Sequence, residues 1–125
     1  MKKILVVDDE VDVVEVVEML LELEGYEVIK AYDGIEALEV IEGKVIPDLI
    51  ILDIMMPELD GVEVCKKFRQ NKELDSVPIV MFSAKISAYD KKESFSAGAD
   101  GFISKPFNAR GFISGIKTYL ELGRM

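Results

Sequence analysis

Polar side chains that could bind a ligand or take part in a reaction follow short apolar stretches at four places in the sequence. They are Asp8 and Asp9 after residues 4–7, Asp53 after residues 49–52, Ser83 after residues 79–82, and Lys105 just after residues 102–103. The three aspartates bring a formal charge of −3 and the lysine brings +1. Carboxylates held close together repel one another and shift one another's pKa values. A divalent cation would bring the formal sum to zero, so these residues form a candidate cation site if they meet.

The residue types narrow the chemistry of that site. Oxygen-only ligands favour a hard ion such as Mg²⁺, which is usually bound by one or two carboxylates together with water. A metal ion and a lysine can neutralise phosphate oxygens, a hydroxyl can donate to them, and a carboxylate can act as the nucleophile. The set therefore indicates metal-assisted phosphoryl transfer.

Alternating apolar runs and helical patterns predict the scaffold for these residues. Strands are predicted at residues 4–7, 28–31, 49–52, 79–82 and 102–103, and helices at residues 11–24, 34–42, 62–68, 88–97 and 112–122. Such βα alternation is typical of an α/β fold, a doubly wound (βα)5 parallel sheet with helices on both faces. In the order 2-1-3-4-5, strands one, three, four and five are neighbours. Their carboxyl ends then bring the polar residues to one crevice.

Composition excludes several other classes of protein. The 125 residues and 14.0 kDa fit one domain, and 50% hydrophobic with 31% charged residues argues against disorder. A net charge of −9 argues against direct nucleic-acid binding. A single cysteine cannot form an internal disulfide, and the absence of histidine removes histidine-based catalysis, histidine-ligated zinc and self-phosphorylation on histidine. No apolar run predicts a membrane span or a signal peptide, so we expect a cytoplasmic protein.

Four motifs carry a family resemblance. They are residues 5–10 (LVVDDE), residues 53–61 (DIMMPELDG), Ser83-Ala84, and residues 101–107 (GFISKPF). In this order and spacing they resemble the receiver domain of bacterial response regulators, the CheY-like or flavodoxin-like fold. The resemblance spans residues 1–125 as one receiver domain.

The resemblance implies a role for each matching residue. Asp53 matches the phosphorylated aspartate, Asp9 a Mg²⁺ ligand, and Asp8 an acidic residue acting more through water; Met55 would offer its backbone carbonyl to the metal. Ser83 and Lys105 match the residues that reach the phosphoryl group, and Phe102 matches the aromatic switch. The bond between Lys105 and Pro106 is implied to be cis.

The resemblance also implies a function and partners. A phosphohistidine on a histidine kinase or a histidine phosphotransfer protein would phosphorylate Asp53, with Mg²⁺ as cofactor. The change would reach the surface of the last two helices and the fifth strand, where a downstream protein would bind. Residues 84–125 carry +3 while residues 1–83 carry −12, which is compatible with an acidic partner there. The sequence contains no output region, so we expect either a stand-alone receiver or the receiver of a longer regulator.

Structural explanations compete with these roles. Adjacent acids after a strand often serve as a helix N-cap, Phe102 could simply be a core residue, and Asp60 is expected to be a turn residue. Cys65 is expected to be a small buried side chain rather than a redox thiol. Gly111 and Gly115 would allow close packing on the sheet or leave a slim face for a partner.

Three other functions remain open at this point. A phosphatase of the haloacid-dehalogenase type would use a nucleophile after the first strand and an aspartate two residues later, where this chain has Glu10. A flavodoxin-like nucleotide module needs a Gly/Ser/Thr-rich loop there, whereas Asp8, Asp9 and Glu10 would repel phosphate. A receiver that has lost phosphorylation and serves only for docking is disfavoured by the complete acidic, Ser and Lys set.

Overall fold

Strands and helices alternate throughout the computed structural model, which describes residues 1–84 and 87–124. The strands are β1 (Lys3–Val7), β2 (Glu27–Ala31), β3 (Leu49–Asp53), β4 (Ile79–Ser83) and β5 (Gly101–Ser104). The helices are α1 (Val11–Leu23), α2 (Gly34–Glu42), α3 (Gly61–Arg69), α4 (Ala88–Ala97) and α5 (Ala109–Leu122), with one 3₁₀ turn at Lys72–Leu74. None of the described helices is long and apolar enough to cross a membrane.

The strands form one parallel sheet in the order β2-β1-β3-β4-β5, which confirms the predicted fold and order. Val7 of β1 pairs with Leu52 of β3, and Asp8 and Asp53 are the residues that come directly after this pair. The carboxyl ends of β1, β3, β4 and β5 therefore lie side by side.

Two hydrophobic cores lie on the two faces of the sheet. In β1, Leu5 and Val7 pack into the core beneath α2 and α3, while Ile4 and Val6 pack into the core beneath α1 and α5. Both faces of the central strands are covered, which is why these strands are apolar without alternation.

Side-chain caps fix where several helices begin. Asp33 accepts a hydrogen bond from the Glu36 N–H and Asp60 accepts one from the Glu63 N–H. Ser87 and Asp90 form a reciprocal capping box at the start of α4. Asp60 is thus the N-cap of α3, in agreement with its predicted structural role.

The interface between α3 and α4 is made of small side chains. Ser94 and Ala97 are the buried residues of α4, and the Ser94 hydroxyl has no hydrogen-bond partner within the described residues. The Cys65 thiol of α3 donates to the Ala97 carbonyl at 3.5 Å. Burial raises the pKa of Cys65 to about 11, as expected for a thiol that packs rather than reacts.

The structure does not support one of the two interpretations of Gly111 and Gly115, tight packing of α5 on the sheet. A Cβ at Gly115 would lie 3.8 Å from the Ile103 side chain, an ordinary contact distance. A Cβ at Gly111 would instead meet the Asn108 side chain, the N-cap of the same helix, at 3.0 Å.

An ion network closes the opposite, amino-terminal edge of the sheet; we call it the amino-edge network. Arg69 lies 2.8 Å from one carboxylate oxygen of Asp100, and Arg124 lies 3.1 Å from the other. Arg69 also donates to the Gly98 and Leu74 carbonyls, and Asp100 accepts the Ile79 N–H.

Candidate functional site

Three carboxylates converge at the carboxyl-terminal edge of the sheet. Asp8, Asp9 and Asp53 each place a carboxylate oxygen within 4.8 Å of the others. Asp8 and Asp53 are buried, whereas Asp9 is exposed. We call these three residues with Lys105 the acidic pocket.

A tight turn after β1 orients the carboxylate of Asp8. The Asp8 N–H donates to the Ala31 carbonyl, and Asp8 Oδ1 accepts the Glu10 N–H at 2.9 Å. Glu10 occupies the N-cap position of α1 without a side-chain hydrogen bond to the helix. The Glu10 side chain therefore does not cap the helix, whereas Asp8 accepts the N–H of this N-cap residue, so the structural explanation holds in part for Asp8.

Backbone contacts hold Asp53 at the end of β3. The Met55 N–H donates to Asp53 Oδ1 at 3.2 Å, while the Met55 side chain is exposed. The Gly61 N–H donates to the Ile54 carbonyl at 2.9 Å. A Cβ at Gly61 would lie 2.1 Å from the Asp53 carbonyl oxygen, so only glycine allows this close approach of α3 to the strand end.

Lys105 enters the acidic pocket from the segment after β5. Its Nζ lies 2.6 Å from Asp8 Oδ2, 3.2 Å from Glu10 Oε1 and 3.7 Å from Asp53 Oδ2. Nζ also lies 4.9 Å from the centre of the Phe82 ring, a cation–π distance. Asp8 Oδ2 accepts no well-aligned hydrogen bond within the described residues, so its contact with Lys105 is mainly a charge pair.

The backbone around Lys105 fixes its entry. The Lys105 N–H donates to the Ser83 carbonyl at 2.9 Å, which joins the ends of β4 and β5. The bond between Lys105 and Pro106 is cis, the geometry implied by the resemblance. Burial lowers the pKa of Lys105, but its contacts with Asp8 and Asp53 outweigh burial and raise it above the ordinary value. The lysine is therefore a permanent cation in this pocket.

The pocket is electrostatically unbalanced. Burial raises the pKa of Asp53, and the neighbouring Asp8 carboxylate raises it further. Lys105 and the Met55 N–H act in the opposite direction, and the resulting pKa is about 7. Like charges in a buried site produce such a shift, and a cation among them reverses it. Three convergent carboxylate oxygens, two of them on buried residues, fit a hard divalent cation.

The two remaining predicted residues lie on the neighbouring strands. Ser83 is buried at the carboxyl end of β4 and pairs in register with Ser104. Phe102 of β5 is half-buried, packs partly on the core under α4, and meets the exposed Phe95 ring edge-on at 4.9 Å. The core interpretation of Phe102 thus holds in part, and its role as a switch stays a prediction.

Sequence reasoning missed one member of the site. Glu10 was expected only as part of the acidic run, yet its carboxylate contacts the ammonium of Lys105. The two residues are 95 positions apart, and no local pattern links them. The only available signal was the placement of Glu10 directly after Asp8 and Asp9.

Comparisons with known proteins agree on one family. Residues 4–117 match the family model described as the response regulator receiver domain. The alkaline phosphatase synthesis transcriptional regulatory protein PhoP of Bacillus subtilis is 48% identical over 120 residues, which are 96% of this chain and 49% of that protein. The chain thus spans about half the length of this relative.

Solved structures agree with this match. The chemotaxis protein CheY4 of Vibrio cholerae has a TM-score of 0.90 and 36% identity, covering 94% of this chain and 98% of that one. A CheY-like receiver domain protein of Methanospirillum hungatei has a TM-score of 0.90 and 33% identity, covering 97% and 94%.

Proposed function

The chain belongs to the response regulator receiver domain family, and from this premise we propose that Asp53 is its phosphoacceptor. One observation carries the proposal. Asp53 is buried at the carboxyl end of β3, beside two further carboxylates and 3.7 Å from the Lys105 ammonium. This arrangement presents a carboxylate nucleophile together with a fixed positive charge for the phosphoryl oxygens.

The proposed reaction transfers one phosphoryl group. A carboxylate oxygen of Asp53 attacks the phosphorus of a phosphohistidine on a partner kinase or phosphotransfer protein. An O–P bond forms, the N–P bond breaks, and the imidazole departs with the electron pair and takes up a proton. The donor histidine must lie outside these 125 residues, because they contain no histidine. With a small donor such as acetyl phosphate, the O–P bond of the donor would break instead and acetate would depart with the electron pair.

The acidic pocket would hold Mg²⁺ for this reaction. Asp8, Asp9, Asp53 and the Met55 backbone carbonyl are the proposed ligands. When bound, the cation would neutralise charge on the carboxylates and on the incoming phosphoryl oxygens. Lys105 would hold a phosphoryl oxygen from the other side.

Phosphorylation would then change the surface of α4, β5 and α5. The added phosphoryl group carries about −1.5 to −2 charges. Ser83 would draw the end of β4 towards it, and Phe102 would turn into the space that this opens. A downstream protein or an output domain would read the new surface; we propose no direct nucleic-acid or membrane contact for this domain, and a cytoplasmic location.

Water would reverse the modification. Attack of water on phosphorus releases inorganic phosphate and restores the Asp53 carboxylate, so the domain would reset itself slowly. It would catalyse its own modification without turning over external substrates. A phosphatase, by contrast, would release product from phosphate esters repeatedly.

Intact mass after incubation with acetyl phosphate and Mg²⁺ tests the proposal. We expect one added phosphoryl group, absent without Mg²⁺ and absent in Asp53→Asn. Asp75→Asn, the same change near the other edge of the sheet, should keep the adduct. A folded protein with no adduct and no beryllofluoride binding would contradict the proposal and favour a docking module.

A further inference from the structure

We propose that Glu10 competes for Lys105 and so opposes the phosphorylated state of Asp53. This inference rests on the proposed function and adds a residue that the acceptor chemistry itself does not require. Glu10 acts through Lys105 and is therefore a positioning residue. Its removal should favour phosphorylation.

The first argument is the set of partners around one nitrogen. Lys105 Nζ lies 2.6 Å from Asp8 and 3.2 Å from Glu10, but 3.7 Å from Asp53. The hydrogen bond to Glu10 Oε1 uses one of the three N–H donors of the ammonium. In the resting protein, two carboxylates that are not the proposed acceptor therefore lie closer to the ammonium than Asp53 does.

The second argument is that Lys105 does not need Glu10 to stay in place. The lysine side chain is only 11% exposed, and it also contacts the Phe82 ring and the buried Asp8 carboxylate. Glu10 is 63% exposed and makes the outermost contact. Removal of its charge leaves the lysine held by buried partners, so the loss of this pair should not unfold the pocket.

The third argument concerns charge in the phosphorylated state. Glu10 and Asp53 both contact the same nitrogen, so their carboxylate oxygens are less than about 7 Å apart, which is within the Debye length at physiological salt. A phosphoryl group on Asp53 adds about −1.5 to −2 charges near Glu10. Glu10 attracts the ammonium away from the phosphoryl oxygens, and its own negative charge repels those oxygens. Both effects destabilise the phosphorylated state.

The opposite role predicts the opposite result. If Glu10 served to hold Lys105 ready for the phosphoryl group, its neutralisation would weaken the phosphorylated state. The sign of the change therefore separates competition from support. A structural role alone would change the urea midpoint without changing the affinity for a phosphoryl analogue.

The experiment measures beryllofluoride binding to Glu10→Gln, with this ion complex as the phosphoryl analogue. Each protein is titrated at a Mg²⁺ concentration that saturates it, because loss of a carboxylate also weakens attraction to the cation. We expect a two- to tenfold lower Kd than in the unmodified chain, and a higher phosphorylated fraction with acetyl phosphate. Glu10→Asp, which keeps the charge on a shorter side chain, should fall between the two.

Asp12→Asn is the matched control, since it removes the same charge from the first turn of the same helix. Its Kd should stay within twofold of the unmodified value. An equal decrease of the Kd for beryllofluoride in Asp12→Asn would assign the effect to net charge and overturn the inference. An unchanged or higher Kd in Glu10→Gln would also overturn it. The proposed function fails separately, if the unmodified chain neither binds beryllofluoride nor gains a phosphoryl group.

Discussion

The two clusters of charged residues at opposite edges of the sheet differ in how far their charges are paired. In the amino-edge network, each carboxylate oxygen of Asp100 faces its own arginine, and two further donors of Arg69 meet backbone carbonyls. In the acidic pocket, three carboxylates face one lysine, and the pKa of Asp53 is about 7. Each carboxylate oxygen of Asp100 is thus paired with a cation of the same chain, whereas the acidic pocket keeps more negative than positive charge.

This difference shows where the fold accepts a cost. At the amino edge, two arginines pair with one carboxylate, as in regions that serve stability, although burial and the neighbouring Arg124 lower the pKa of Arg69. At the carboxyl edge, the same fold holds like charges together in a buried place, which is typical of functional sites. Variants that break the amino-edge network should therefore lower the free energy of unfolding. Variants that reduce the negative charge of the acidic pocket should raise it.

Neutralising Asp53 should produce the largest effect. Its pKa in the folded protein, about 7, lies above the ordinary value of 3.8, so folding favours the protonated form. The resulting penalty is absent below pH 4, grows as pH rises to 7, and is fully present above that. At 1.36 kcal/mol per unit it reaches at most about 4 kcal/mol.

Urea unfolding of the metal-free protein at several pH values measures this penalty. The free energy of unfolding of Asp53→Asn should exceed that of the unmodified chain at pH 8 and match it at pH 4. Mg²⁺ at pH 8 should stabilise the unmodified chain more than the variant. Equal stabilities at every pH would show that the acidic pocket carries no such cost.

Breaking the amino-edge network should destabilise the protein by about 3 kcal/mol, because Asp100→Ala leaves Arg69 without its carboxylate. The Arg69 side chain is only 10% exposed, so water does not replace the lost partner fully. Urea unfolding gives the value, and Asp75→Asn is the control because Asp75 supplies only its backbone carbonyl to Arg124. Beryllofluoride affinity of the folded variant should not change; if it fell, the two edges would be coupled.

Two glycine variants compare the edges by steric means. Gly61→Ala pushes a methyl group against the Asp53 carbonyl, whereas Gly98→Ala, at a φ of +107°, pushes one against the Arg69 side chain. Each should cost about 2 kcal/mol in urea unfolding. Phosphorylation by acetyl phosphate should fall tenfold or more in Gly61→Ala only, since that variant displaces the strand end that carries Asp53, the proposed acceptor. Similar losses in both would mean that the effect is general destabilisation.

The smallest expected effect concerns α4, which follows β4 at the carboxyl edge and ends near Gly98 at the amino edge. Ser94→Ala removes a buried hydroxyl without a partner among the described residues and should stabilise the protein by about 1 kcal/mol. Thermal unfolding should show a higher Tm, with Ser96→Ala on the exposed side as control. A lower Tm would indicate that the hydroxyl has a partner, such as a buried water.

The sequence predicted the sheet well because its signals are local. The apolar runs of β1, β3 and β4 differ from the amphipathic pattern of α1 without ambiguity, and four strand ends carry polar residues. Strand order then followed from the fold class. The convergence of Asp8, Asp9, Asp53 and Lys105 needed only that order and the rule that ligands bind at the carboxyl ends of strands.

Contacts between distant residues could not be predicted in this way. Arg69 and Asp100 are 31 residues apart, and neither lies in a motif. The contact between Glu10 and Lys105 likewise depends on how a long side chain crosses the pocket. The packing around Gly111 and Gly115 could not be predicted either, because a glycine in a helix indicates only that a side chain is absent. It does not indicate which residue lies next to that position.

The single thiol of the chain can serve as a chemical probe for the separation of α4 from α3. Cys65 is buried against Ala97, and with a pKa of about 11 only ~0.1% of it is thiolate at pH 8. A disulfide reagent such as Ellman's can therefore react only after α4 separates from α3. Because the sequence contains no other cysteine, the rate of that colour change reports how readily this one interface opens, with or without beryllofluoride bound.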